Sequence, residues 1–326
     1  MSTAITAVTV ERVSPEEIGI AWAVDGPDTA VDVAIGSRPD AIDHEKSVRV
    51  EAGVATVVLP VAGRRRPYVS VAPANGGSAL VGAERLVAFV GIENFRDLGG
   101  YRTADGGHTR WGVLFRADAL HKLTAEDIEH YHELGMRTVY DLRGEKERAA
   151  HPNPFEAVVL PVVGQPTGQG NIREFAEVAD GEKLLRNLYV GMLEHSAGLF
   201  ARFLRGVLDA DQLPAVFHCH AGKDRTGVAA ALVLLGVGVA RDDVLDDYEL
   251  TRRYRASANQ GDTMANMLEL GMSPEAAAGV LSTPRWAMAE ALDVLETTYG
   301  GIDTYLRRTV GLTDGEVARL RSTLVG

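Results

Sequence analysis

One cysteine in 326 residues is the sharpest scarcity in this sequence. It excludes an intrachain disulfide and leaves the redox compartment unread. It also provides no second thiol to resolve an oxidised Cys219, which an outside thiol would have to rescue. Basic residues are outnumbered, 33 against 45 acidic, for a formal net charge of -12. That balance argues against nucleic-acid or anionic-membrane binding by the whole surface, so a phosphate-directed site would have to be a local basic island. Long apolar runs are missing too. The most apolar stretch, Val228 to Val239, is well short of a membrane span, so no integral membrane association is expected. The opening Met1-Ser2-Thr3-Ala4-Ile5-Thr6 has neither a basic region nor a continuous apolar core. A cleaved signal peptide is therefore not expected and a cytoplasmic location is, with non-classical secretion left open. The nine histidines are scattered without a ligand cluster, so neither a metal nor another cofactor is expected.

What is present is material for two cores: 46% hydrophobic residues over a length that accommodates two domains. Residues 1–86 read as short strands. Ile18, Ile20, Trp22 and Val24 alternate with smaller residues, Val31 to Ile35 is a second stretch, Val48 and Val50 bracket Arg49, and Tyr68 to Val71 closes the series. Strands without a helix between them predict a small all-β sandwich, with Trp22 and Tyr68 as core aromatics and Arg64, Arg65 and Arg66 in a solvated turn. The segment resembles a fibronectin type III-like module.

From 87 to 326 the period changes. Met136 to Asp141 and Val158 to Val163 read as core strands, while Thr124 to Leu134, Leu184 to Leu208 and Thr226 to Leu235 carry helical patterning. Thr124 is the expected helix cap, with Asp127 three residues on. Ser273-Pro274-Glu275 and Thr283-Pro284-Arg285 read as helix starts with proline at the first helical position, and Trp286, Leu292, Leu295, Tyr299 and Leu306 as packing residues. Strands alternating with helices predict an α/β domain with a mostly parallel central sheet. The segment from Pro166 to Arg186, with Gly168 and Gly170 and a helix around Phe175, reads as either a cover over a site or a surface excursion.

The chemistry concentrates in one stretch. Apolar Ala215-Val216-Phe217 runs into His218-Cys219-His220-Ala221-Gly222-Lys223-Asp224-Arg225-Thr226-Gly227, and then into the apolar Val228 to Leu235. A loop between a strand and a helix N-terminus turns backbone N–H groups and the positive helix end into one concavity, a site for a tetrahedral dianion. His220, Ala221, Gly222, Lys223 and Thr226 are the expected phosphate-binding residues. A thiol at Cys219 in that field is favoured as thiolate, a nucleophile at neutral pH. The planar fork of Arg225 can hold two phosphoryl oxygens into the transition state. Thr226 is placed to donate to the Cys219 thiolate, His218 to hold the loop from beneath, and Gly222 and Gly227 to permit its geometry.

The His-Cys pair, the five residues between Cys219 and Arg225, and Thr226-Gly227 resemble the protein tyrosine phosphatase superfamily signature. The version His218 to Gly227 resembles the atypical bacterial tyrosine/lipid phosphatase family. Asn94-Phe95-Arg96-Asp97-Leu98-Gly99-Gly100, Leu114-Phe115-Arg116-Ala117, Val139-Tyr140-Asp141-Leu142-Arg143 and Glu296-Thr297-Thr298-Tyr299-Gly300 are similar to further blocks of that family, from about Val90 to Gly326. The resemblance implies a metal-independent tyrosine or dual-specificity phosphatase with a phosphocysteine intermediate, acting on a phosphotyrosine protein or a phosphorylated lipid. It makes Asp224 the first choice for the general acid; Asp141, at a strand end, is the second, against the alternative that it pairs with Arg143 or Arg225. Asp180, in a charged turn, is not expected to serve. Arg96, Asp97 and Arg116 are expected to tie a strand or loop near the site. Lys223 sits where the lipid-directed branch carries Gly-Lys, but His220 replaces that branch's second lysine.

Rival classes fit less well. Gly222-Lys223 is followed by Asp224 rather than Ser or Thr, and position 217 is Phe where a nucleotide-binding loop needs glycine. A non-catalytic phosphate-binding module would use the same loop without turnover.

Overall fold

The computed structural model describes residues 3–26, 29–162, 175–255 and 261–326, and the chain divides into two compact units. The first comprises the residues up to Val87 together with Arg110–Gly112. Its strands are β1 (Ala4–Ser14), β2 (Glu17–Asp25), β3 (Val31–Gly36), β4 (Val48–Val50), β5 (Thr56–Pro60), β6 (Tyr68–Pro73) and β7 (Leu80–Ala83). They form a three-stranded sheet, β1-β2-β5, and a four-stranded sheet, β4-β3-β6-β7, each antiparallel throughout. Alternation along each strand sends one face inward. Ile18, Ile20 and Trp22 from the first sheet meet Val31, Val33, Val69 and Val71 from the second in one core.

Tyr68 belongs to a smaller cluster with Ala83 and Trp111. Arg66 departs from the expected solvated turn. It is buried, donates from Nε and Nη2 to the Glu84 carbonyl at 3.1 and 2.9 Å, and lies over the Tyr68 ring. A flexible guanidinium can be buried when its donors and its flat face are both satisfied.

The second unit holds Ala88–Thr109 and Val113–Gly326. Its five-stranded sheet has the order β11 (Val158–Val159), β10 (Thr138–Asp141), β12 (Ala215–His218), β9 (Leu114–Ala117), β8 (Arg96–Asp97). All neighbours are parallel except the β8–β9 edge. The strand expected over Val158 to Val163 is thus only two residues long, and position 163 lies outside the described residues. β12 is central and fully buried, as a parallel strand covered on both faces must be. Phe217 and Tyr140 pack on Phe203, while Phe115 packs on Phe95.

Helices α1 (Ala125–Glu133), α2 (Glu145–Ala150), α3 (Val178–His195), α4 (Ala197–Val207), α5 (Asp224–Gly236), α6 (Arg241–Tyr254), α7 (Gly261–Glu269), α8 (Pro274–Leu281) and α9 (Arg285–Tyr299) complete most of the unit. Thr124 caps α1 with Asp127 in a reciprocal box, and Ser273 caps α8 with Pro274 at its first position. Pro284 lies one residue before α9 rather than inside it. The helical stretch Leu184 to Leu208 breaks at Ser196 into α3 and α4. Trp286 is half exposed rather than packed, its indole N–H reaching Glu182 Oε2 at 2.8 Å. Gly168 and Gly170 lie outside the described residues. No described helix is long and apolar enough to cross a membrane.

Candidate active site

The loop Cys219–Lys223 leaves the C-terminal end of β12 and enters α5, where ligands gather in parallel α/β sheets. Its carbonyls are held one after another by the surrounding scaffold. His218 Nδ1 lies 3.0 Å from the Cys219 carbonyl, and the Ala119 N–H donates to His220 at 3.1 Å. Asn94 Nδ2 donates to Ala221 and Gly222, both at 3.2 Å, and Arg116 Nη2 to Gly222 at 2.7 Å. In a planar trans peptide the N–H points opposite its carbonyl, so fixing four carbonyls outward turns the N–H groups of residues 220–223 to the other side of the loop. The first N–H groups of α5 and its positive dipole end add to that field.

Gly222 makes the path feasible. Its φ is +65°, and a Cβ there would meet the Ala117 carbonyl oxygen at 2.6 Å, so the loop lies directly on the end of β9. Gly227, one turn into α5, lets Tyr248 of α6 approach; a Cβ would stand 3.2 Å from its ring.

Arg225 donates to Glu147 of α2 through Nη1–Oε2 at 2.5 Å and Nη2–Oε1 at 2.7 Å. Burial pulls the Arg225 guanidinium down, but the Glu147 hydrogen bonds and the charges of Cys219 and Glu147 outweigh it and hold the group above its ordinary value. Glu147 is pushed the other way: burial acts upward, Arg225 more than cancels it, and the carboxyl falls to about 2. Both groups stay charged, and the fork is fixed in one plane.

Asp224 begins α5. Its Oδ1 accepts from Tyr189 Oη at 2.7 Å, and Tyr189 Oη in turn lies 2.7 Å from Tyr248 Oη. Burial, followed by the charge of Asp224, raises Tyr189 well above its ordinary value, so it remains a neutral donor. Lys223 is not directed as the sequence suggested. Its ammonium is buried, donates to the Val280 and Ser282 carbonyls at 2.6 and 2.7 Å, and stands 3.5 Å from Asp224. The carbonyls at the end of α8 are natural acceptors for a cation.

His218 is fully buried and lowered to about 4, chiefly by burial, with Asp141 and the Cys219 carbonyl acting against it. A neutral ring fits its partners: Nδ1 faces the Cys219 carbonyl, and Nε2 lies 3.1 Å from the Asn153 amide. Asp141 is held by Arg143 through Nε and Nη2, at 2.9 and 2.8 Å, and by Asn153 at 2.9 Å. Burial raises its carboxyl, but the Arg143 hydrogen bonds prevail and keep it below the usual carboxylate range. This is the pairing alternative, with the partner Arg143 rather than Arg225.

The Thr226 hydroxyl is buried without a hydrogen-bond partner among the described residues, so the expected donation to Cys219 is not made. His220 is lowered mainly by burial, and its ring is 6.1 Å from that of His151, which stacks on His121 at 4.4 Å. Asp180 caps α3, accepting from Ala176 and Glu177 N–H groups, both at 3.1 Å, and takes no part in the site. Asp97 accepts from the Gly99 N–H at 2.8 Å.

Sequence reasoning does not name Glu147, Asp247 or Tyr189, and names Asn94 only within a block that resembles the family, without a role. Glu147 follows the Val139–Arg143 block, three residues after the helix-starting Gly144 whose N–H it accepts at 3.0 Å, and that first-turn glutamate was the available signal. Among the described residues no group of three His, Cys, Asp or Glu side chains could hold a metal ion.

The structure thus brings together a thiol at the end of a central parallel strand, a loop of fixed peptides and an arginine at the start of the following helix. Residues 87–326 match the model of the tyrosine phosphatase family, and the chain belongs to that family and is a phosphatase. It is 32% identical to a Cupriavidus necator protein with a provisional tyrosine-protein phosphatase name, over 77% of this chain and 93% of that one. It is 27% identical to the triple specificity protein phosphatase PtpB of Mycobacterium tuberculosis, over 72% of this chain and 98% of the relative. A tyrosine-protein phosphatase of Nostoc commune is 26% identical over 65% of this chain and 74% of its own.

Proposed function

We propose that the protein hydrolyses phosphomonoesters of tyrosine-phosphorylated proteins through a phosphocysteine on Cys219, without metal. The observation that carries this reading is the Arg225 fork, which Glu147 holds in the first turn of the helix that follows the Cys219 loop, close enough to Cys219 for their charges to interact. The Cys219 thiolate attacks phosphorus, the Sγ–P bond forms, and the ester O–P bond breaks as Asp224 gives a proton to the leaving oxygen. The Asp224 carboxylate then takes a proton from water. That water attacks phosphorus, the Sγ–P bond breaks, and phosphate and thiolate are released. The loop N–H groups and Arg225 stabilise the equatorial oxygens in both steps.

Asp224 is preferred over Asp141 as the acid because its side chain is part exposed beside Arg225, whereas Asp141 is buried and committed to Arg143. A phosphotyrosine protein is preferred over a phosphoinositide because the Lys223 ammonium is engaged by α8 and His220 is kept toward the neutral form, leaving little free positive charge for a second phosphate. The name of the Mycobacterium relative makes phosphoserine and phosphothreonine reasonable further substrates.

The N-terminal segment, 1–86, is read as a fibronectin type III-like domain, supported by its three-plus-four strand arrangement, with the catalytic domain at 87–326. A cytoplasmic location is part of the same reading. The test is hydrolysis of phosphotyrosine, phosphoserine, phosphothreonine and phosphoinositide substrates side by side in chelator. Turnover greatest on phosphotyrosine supports the reading; phosphate binding without turnover on any substrate replaces it with a binding module.

A further inference from the structure

Beneath the loop lies a buried ionic cluster that the phosphatase chemistry does not itself use. Arg96, Arg116 and Asp247 are each at most 1% exposed. Asp247, on α6, accepts from Arg116 Nη1 through Oδ2 at 2.5 Å, and from Arg96 Nε and Tyr101 Oη through Oδ1 at 3.1 and 3.0 Å. Arg96 also donates to the Asp247 carbonyl at 2.8 Å, to Thr251 Oγ1 at 3.2 Å and to Asn94 Oδ1. The chain of contacts ends on the loop, where Asn94 and Arg116 hold the Ala221 and Gly222 carbonyls.

Two consequences follow. Asn94 presents its oxygen to Arg96, which leaves its NH₂ as the group facing the loop, so Arg96 fixes the amide's orientation. Arg116 divides its guanidinium between one carboxylate and one loop carbonyl, so Asp247 fixes where the second donor points. The three ionic side chains sum to one positive charge directly below an anion site. Burial, then Arg96, lowers Arg116 to about 10 against the pull of Asp247, which still leaves it charged at neutral pH.

We propose that Asn94 and Arg116, braced by Arg96 and Asp247, are positioning residues of the anion cradle: by pinning the carbonyls of Ala221 and Gly222 they aim the N–H groups of Gly222 and Lys223 at the phosphoryl oxygens. The proposal rests on the phosphate-site reading of the loop. It does not require turnover, so it is read first by binding of orthovanadate, a tetrahedral oxyanion, to the full chain.

Asn94→Ala removes both amide bonds to the loop and the Oδ1 acceptor of Arg96, and leaves the contacts of Arg96 and Arg116 with Asp247 in place. It is expected to weaken vanadate binding and lower kcat on an aryl phosphate by about tenfold to a hundredfold, less than the roughly 10²–10³ of removing an oxyanion donor outright, because the N–H groups are misaimed rather than lost. The melting temperature is expected to fall as well, because buried Arg96 loses an acceptor and two loop carbonyls lose their donor, so affinity and kcat are read on the folded protein. Arg116→Met should act in the same direction, and Arg116→Lys, which keeps one donor, should recover part of the loss. Asp247→Asn tests the brace, and if it does not fold, Asn94→Ala decides alone. A purely structural role would lower the melting temperature while leaving vanadate affinity and kcat of the folded protein intact. That result, or a wild-type protein that does not bind vanadate, overturns the proposal. Wild-type vanadate binding without turnover would sink the enzymatic reading while leaving the comparison among variants decisive.

Discussion

Arg225 and Glu147 are joined by two parallel hydrogen bonds across 78 residues of sequence, and both side chains are mostly shielded from solvent. A single contact would leave the guanidinium free to swing; two hold its plane. Glu147→Gln removes the charge and one acceptor, so Arg225 should keep its place but lose its fixed orientation. A fall in kcat of up to about a hundredfold is expected, the scale of a misplacement of about 1 Å, with a smaller change in KM. Steady-state kinetics on an aryl phosphate decides it; unchanged kcat would mean that Arg225 is aligned by other groups.

The acid assignment separates Asp224 from Asp141 by leaving-group dependence. Asp224→Asn should slow phosphotyrosine hydrolysis by about 10² to 10⁴, yet have far less effect on aryl esters whose phenols are acidic enough to depart unprotonated. Asp141→Asn should lower the melting temperature, because it leaves buried Arg143 without its counter-charge, and should show no such dependence. The reverse pattern would transfer the acid role.

His218 gives a pH signature in stability. Its folded value is about 4 against an ordinary value near 6.5, so the unfolded chain binds the proton more readily. Stability from this group is therefore complete above about pH 6.5 and is lost as pH falls toward 4, by roughly 3 kcal/mol over the full window. Chemical denaturation from pH 7 to 4, compared with His218→Asn, should show the wild type losing more stability than the variant. Parallel curves would contradict the buried neutral imidazole.

Gly222→Ala meets two obstacles at once, a positive φ and a carbonyl oxygen 2.6 Å from the new methyl. The loop must shift, and vanadate affinity is expected to fall with it. An alanine variant that binds vanadate as the wild type does would show that the loop tolerates displacement.

The features legible in the sequence are those written in adjacent residues. Thr124 with Asp127 and Ser273 with Pro274 announce helix starts, and alternating Ile18, Ile20 and Trp22 announce a half-buried strand. The loop between β12 and α5 is legible for the same reason, since nucleophile, glycine and arginine are contiguous. Pairings across long separations are not. Nothing near Glu147 announces Arg225, and nothing near Asp247 announces Arg96 or Arg116, because these contacts exist only after the sheet has brought distant segments together. Lys223 and Arg66 mislead for a related reason: sequence places the backbone, but a long side chain chooses among partners several ångströms away.

The central claim is a covalent phosphocysteine, and the most direct measurement is acid quenching during turnover of a phosphotyrosine peptide, followed by peptide mass analysis. One phosphoryl group on the peptide containing Cys219, absent in Cys219→Ser and unaffected by chelator, is the expected result. Sustained turnover in Cys219→Ser would contradict the account.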